Sequence, residues 1–134
     1  MNKHSYAAAK KGKTGLTRII NAFGYSVDGL TAAFRHESAF RQLLLLHALL
    51  TSAAFWLDFG PTTRLLLIMT SFISLITELF NTAIEAAVDH TSTERHELAK
   101  RAKDAASAAQ LLALLLVAIA WFSALWREYG LNLF

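Results

Sequence analysis

The chain has 134 residues, of which 54% are hydrophobic and 17% charged, with one proline, no cysteine and a formal net charge of +3. That length suits a single domain, and the missing cysteines exclude disulfides, thiolate metal sites and a cysteine nucleophile. Soluble domains run at about 45–50% apolar and about 25% charged residues, so this composition is too oily for one, and a weak positive balance without a basic, aromatic-interleaved face argues against nucleic acid as a partner.

Residues 1–14 carry Lys3, Lys10, Lys11 and Lys13 and read as a flexible basic tail. Within it, Ala7-Ala-Ala-Lys-Lys-Gly12-Lys13-Thr14 has the outline of a phosphate-binding loop. It lacks the first glycine and any preceding strand, so it is a decoy. From residue 16 to 36, Leu16, Ile19, Ile20, Phe23, Val27, Leu30 and Phe34 recur at three- and four-residue steps, with Arg18, Asn21, Asp28 and Arg35 between them. This spacing predicts an amphipathic helix lying along a membrane surface.

Three apolar stretches follow, at 43–59, 65–88 and 105–126. About 20 helical residues cross a bilayer core, and no apolar–polar alternation competes for a strand. The first stretch is interrupted by His47, which is expected to hydrogen-bond between helices rather than to hold a metal. The Gly60-Pro61 pair marks a turn that sets Pro61 at the start of the second. The third contains no formal charge. The expectation is an all-α membrane protein, a single domain over 1–134, with an N-terminal surface helix and three transmembrane helices. Seven of the basic residues precede position 42, and Arg95, Lys100, Arg101 and Lys103 fall in 89–104; Arg64 and Arg127 stand alone on the other side. This asymmetry puts the N-terminus and the 89–104 segment in the cytoplasm and the C-terminus outside. Phe55, Trp56 and Phe59, with Trp121, Phe122, Trp126 and Tyr129, fall at the outer interface as an aromatic belt.

The second stretch is the informative one. At 100° per residue, Glu78, Asn81, Glu85 and Asp89 share a stripe about 80° wide on one helix face. A charged side chain at the centre of a bilayer costs about 2.5–3.5 kcal/mol on insertion scales, so two glutamates there call for a function. Glu78 sits roughly 10 Å deeper than Glu85, too deep for a short side chain to reach water. A shallow carboxylate suits a divalent cation shared with phosphate oxygens. A deeper one can accept a proton from an alcohol.

The run Glu78-Leu-Phe-Asn81-Thr-Ala-Ile-Glu85-Ala-Ala-Val-Asp89 resembles the signature of the prokaryotic diacylglycerol kinases, small integral-membrane lipid kinases. The resemblance extends over about residues 15–130. It includes Thr17-Arg18-Ile-Ile, Glu37-Ser-Ala-Phe40-Arg41-Gln42, Trp56-Leu-Asp58, Thr63-Arg64, and His96-Glu97-Leu before Arg101-Ala-Lys103-Asp104. It implies a homotrimer in the bacterial inner membrane that moves the γ-phosphate of ATP, with Mg2+, to the primary hydroxyl of diacylglycerol, giving phosphatidic acid. By the same resemblance Glu78 is the general base, and Asn81 positions catalytic groups. Glu37 and Glu85 hold the metal, while Arg18, Tyr25, Glu94, His96, Lys103 and Asp104 join them as nucleotide contacts. Arg64, Ser107 and Trp121 line the lipid cleft beside Glu78. The chain departs from the family pattern at Asn21, Leu43 and Arg95, where a lysine, an acid and an aromatic residue are common. An undecaprenol kinase of the same family is the nearer alternative, and a small oligomeric proton-coupled transporter is the alternative from another class.

Overall fold

The computed structural model describes residues 15–91 and 96–130. Among these residues the chain is helical throughout, with α1 at Leu16–His36, α2 at Ser38–Trp56, α3 at Pro61–Thr91 and α4 at Glu97–Tyr129. It divides into two units, one ending at His36 and one beginning at Glu37. The basic tail and its decoy motif lie outside the described residues.

The first unit contributes α1, whose bounds coincide with the amphipathic pattern. Gly15 precedes it at φ +72, a left-handed conformation that glycine adopts without strain, and its carbonyl accepts from the Arg18 and Ile19 amides at 3.1 and 3.4 Å. Leu16, Ile19, Ile20, Phe23, Val27, Leu30 and Phe34 are all exposed along the helix. They form an apolar face of the kind that enters a membrane interface.

In the second unit α3 is the central helix, packed on α2 and more extensively on α4. All three helices of this unit are long and apolar enough to cross a membrane. The last two run beyond their apolar stretches at both ends, whereas α2 starts before its stretch and stops at Trp56, short of residue 59. Thus α2 starts at Ser38 rather than near 43, and α3 continues to Thr91. The expected 89–104 segment is mostly helix as well, because residues from Glu97 onward form the first two turns of α4. The pattern of apolar residues marks what lipid or protein covers, whereas the backbone ladder continues until a residue stops it. Pro61 opens α3, as the missing amide hydrogen allows. Gly130 closes α4 in the left-handed conformation.

The interior is unlike that of a soluble bundle. The face of α4 toward its neighbours is small, with Ala106, Ala113, Val117 and Ala124 buried, so helices approach closely and gain dispersion contacts rather than hydrophobic transfer. Large apolar side chains such as Leu45, Leu49, Phe72, Phe80, Leu112 and Ile119 point outward instead. At the end that holds the α2–α3 turn, Phe59 is 3% exposed and meets Trp121 and Tyr129 edge-on, with ring centroids 5.9 and 5.8 Å away. The Asp58 amide donates to the Tyr129 hydroxyl at 2.7 Å, and Thr63 donates to Glu128 at 3.2 Å. These contacts tie the turn to the last residues of α4.

Candidate active site

The polar stripe of α3 extends further than its acids. Ser71, Ser74 and Glu78 succeed one another at three- and four-residue steps and are all buried, Ser74 completely. Ser71 meets Nδ1 of His47 on α2 at 3.2 Å, which is the interhelical hydrogen bond expected of that histidine. Ser74 accepts from Nε2 of Gln110 on α4 at 3.1 Å. Satisfying buried polar groups in this way is a strict requirement where water is absent. Reading the acids alone overlooked Ser71, Ser74 and Gln110. The signal was present, since the same 3-4 spacing continues upstream from Glu78 and Gln110 interrupts an otherwise apolar run.

Glu78 is 5% exposed and lies within electrostatic reach of Glu85 and Glu37. Glu85, one stripe position along α3, is half-buried. Glu37 comes from a different place in the sequence, the residue that precedes α2. Its extended backbone (φ −109, ψ 109) starts the helix, but its carboxylate makes no capping hydrogen bond and is free for another ligand. Asn81 is half-buried between the two α3 glutamates, with its Oδ1 enclosed and unpartnered. Three carboxylates and an amide thus gather where α2 begins, beside the second half of α3.

Beyond Glu85 the charges become paired. Lys103 donates to Asp89 at 2.9 Å, linking the last turns of α3 to the beginning of α4. Lys100 is bound to Asp104 one turn away on α4. His96 caps α4, its Nδ1 accepting from the Leu98 amide at 3.3 Å, so only the opposite ring nitrogen faces outward for a further partner. These pairs are solvent-exposed, and exposed pairs hold a fold together weakly.

The remaining expected residues are dispersed. Ser107 is exposed on α4 in the stretch nearer the acids. Arg64 sits near the start of α3, donating through Nε to the Ala54 carbonyl at 2.9 Å while its guanidinium lies 5.5 Å from the Phe55 ring centroid. Trp121 packs on Phe59 with its indole nitrogen enclosed and unpartnered. Arg64 is about 21 Å along α3 from Glu78, so these positions follow the length of the bundle, as acyl chains do, and do not gather around the acids. A cleft of about 170 Å³ at their end is walled by Leu66, Leu67, Ala120 and Ala124, with Thr63, Ser123 and Arg127. Arg18 and Tyr25 are exposed on α1 in the first unit, and Glu94 lies outside the described residues.

Among the described residues no three His, Asp or Glu side chains form a ready-made metal cage. The two available carboxylates, Glu37 and Glu85, suit instead an ion that takes its other ligands from phosphates and water, as Mg2+ commonly does. The arrangement has a buried acid, two more accessible acids and a fringe of lysines paired with aspartates.

The sequence profile described as Prokaryotic diacylglycerol kinase matches residues 24–125, which include every element of this arrangement from Glu37 onward. The chain belongs to the prokaryotic diacylglycerol kinase family. It is 54% identical over 111 residues to the diacylglycerol kinase of Pseudomonas aeruginosa, covering 83% of this chain and 90% of that one. To the diacylglycerol kinase of Escherichia coli K12 it is 48% identical over 117 residues, 87% and 96% of the two chains. The diacylglycerol kinase of Helicobacter pylori 26695 is 46% identical over 120 residues, 90% of each chain. Membership makes the chain a kinase, and the transporter alternative is set aside.

Proposed function

We propose that this chain phosphorylates the primary hydroxyl of diacylglycerol with ATP and Mg2+, giving phosphatidic acid and ADP. The observation that carries the reading is the buried carboxyl of Glu78, set within reach of Glu85 and Glu37 on a helix able to cross a membrane. A lipid alcohol approaches from the bilayer and ATP from the cytoplasm, and a site at one end of the helices serves both.

Glu78 takes the proton of the lipid hydroxyl, and the hydroxyl oxygen attacks the γ-phosphorus. The bond from that phosphorus to the β-bridging oxygen breaks, leaving ADP and a phosphate monoester. Little covalent work falls to the protein in such a transfer, which depends on positioning and charge neutralisation. Glu37 and Glu85 hold the ion, which when bound neutralises the phosphate oxygens. Asn81 stands between the base and the metal ligands and orients both. Lys103, released from Asp89, contacts phosphate, with Asp104 and His96 near it at the start of α4, and the family resemblance supports Arg18, Tyr25 and Glu94 as further nucleotide contacts. Arg64, Ser107 and Trp121 contact the lipid along its length.

The membrane is the bacterial inner membrane, with the acids at its cytoplasmic face and the C-terminus outside. Three helices cannot wall such a site off from both lipid and water, so subunits associate, and the family resemblance supports a trimer. The test is phosphate transfer from labelled ATP in mixed micelles, offering diacylglycerol and undecaprenol side by side. The intact chain labels diacylglycerol preferentially, and Glu78→Gln labels neither while still binding ATP. Full turnover by Glu78→Gln defeats the assignment of the base, and preference for undecaprenol reassigns the substrate.

A further inference from the structure

The Gln110–Ser74 contact is only half of what a buried amide needs. Gln110 is 8% exposed, and the positions one turn to either side of it, Ala106 and Ala113, are buried and apolar. Its Nε2 is used on Ser74, yet its Oε1 is enclosed and unpartnered. A residue retained solely to join two helices gains nothing from an unmet acceptor, which is costly wherever water is excluded.

The register of the two helices shows what the oxygen is near. Thr63 pairs with Glu128 at one end and Asp89 with Lys103 at the other. α3 and α4 pack antiparallel between these pairs, and the 3.1 Å contact sets the Gln110 amide at the level of Ser74, one turn from Glu78. Glu78 stands one turn beyond Ser74 on the same face, and helical side chains lean toward the N-terminal turn, here the turn of Ser74. Glu78 is 5% exposed, and its carboxyl makes no hydrogen bond or ion pair with any described residue. A carboxylate and an amide oxygen are both acceptors and have nothing to exchange. Once the carboxyl holds a proton it becomes a donor, and the two fit.

We propose that Gln110 is a positioning residue for Glu78, its Oε1 accepting a hydrogen bond from the Glu78 carboxyl once that group has taken the proton of the lipid hydroxyl. Ser74 holds the amide by its nitrogen, and the oxygen is the atom left for Glu78. The proton stays covalently on Glu78 until product leaves, and Gln110 only accepts the hydrogen bond. The inference rests on the reading of Glu78 as the base. The other ionisable groups near this stretch are Glu37 at the start of α2, His47 on α2 and Glu85 on α3; α4 has none between Asp104 and Arg127.

The test is Gln110→Met, which keeps the length of the side chain and removes the amide. In the full-length protein in mixed micelles, kcat falls about tenfold, the equivalent of one hydrogen bond made during the reaction. The KM values for lipid and for ATP with Mg2+ stay in place. The infrared carbonyl band of protonated Glu78, identified by its absence from Glu78→Gln, moves to higher frequency as its hydrogen bond is lost. Ser74→Ala lowers kcat less, and adding it to Gln110→Met causes no further loss, as expected of two residues acting in series. An unchanged kcat and an unmoved band in a folded Gln110→Met protein overturn the inference, and so does a loss confined to KM or to resistance to unfolding. Turnover by Glu78→Gln removes the base itself, an outcome distinguishable from an active Gln110→Met beside an inactive Glu78→Gln.

Discussion

Phe59→Ala separates what holds the helices together from what performs the chemistry. The ring is 3% exposed and fills the corner where the α2–α3 turn meets the end of α4, edge-on to both Trp121 and Tyr129. In a soluble core the truncation of a buried phenylalanine costs about 3–5 kcal/mol. Within a membrane the transfer component is smaller, because lipid is as apolar as the core. The packing loss and two aromatic contacts, each about 0.5–1.5 kcal/mol, persist. We therefore expect a loss of about 2–4 kcal/mol. The measurement is helicity during titration with sodium dodecyl sulfate in mixed micelles, with Phe59→Leu as an intermediate case. Glu78 lies about 25 Å away along α3, so kcat at saturating lipid is unchanged under conditions where the variant is folded. A loss below about 1 kcal/mol contradicts the packing argument, and a kcat that falls while the helices remain intact contradicts the separation.

Two further substitutions examine the nucleotide end. Lys103→Met removes an exposed ion pair, so resistance to unfolding stays the same while the KM for ATP rises about tenfold through loss of a charge-assisted phosphate contact; an unchanged KM with a lowered unfolding midpoint makes Lys103 structural. Glu85→Gln shifts the Mg2+ concentration for half-maximal activity upward by about tenfold, since one of two carboxylate ligands becomes neutral. An unaltered Mg2+ titration rejects Glu85 as a ligand. The loss of transfer in Glu78→Gln and the kcat effect of Gln110→Met complete the set.

The helices and the acids of α3 were legible in the sequence for separate reasons. A surface helix announces itself by its period, and α1 begins and ends where the spacing of Leu16 through Phe34 predicts. A membrane helix announces itself by length and composition, which locate its apolar middle but not its ends; hence the extra turns of α2, α3 and α4. Glu78 and Glu85 stood out because the bilayer penalises them, and their common face follows from helical geometry. Glu37 carried no such mark, since an acid before a helix is ordinary, and only the family resemblance singled it out. Its spare carboxylate is visible only once the cap geometry is known. The pairing of Gln110 with Ser74 was hidden for another reason. Gln110 and the 3-4 spacing of the serines were visible one by one, but their pairing depends on the register between α3 and α4, which no single-helix pattern reveals.

The uneven polarity of the helices also bears on how the chain is made. The middle of α4 carries no charge and inserts into a bilayer unaided, whereas α3 brings two glutamates and an asparagine with it. During synthesis α3 emerges first, before the helix that covers Ser74 and lies alongside Glu78 exists. It must wait at the insertion machinery or tilt toward it until α4 arrives, so a chain cut after Thr91 integrates poorly although its third helix is complete.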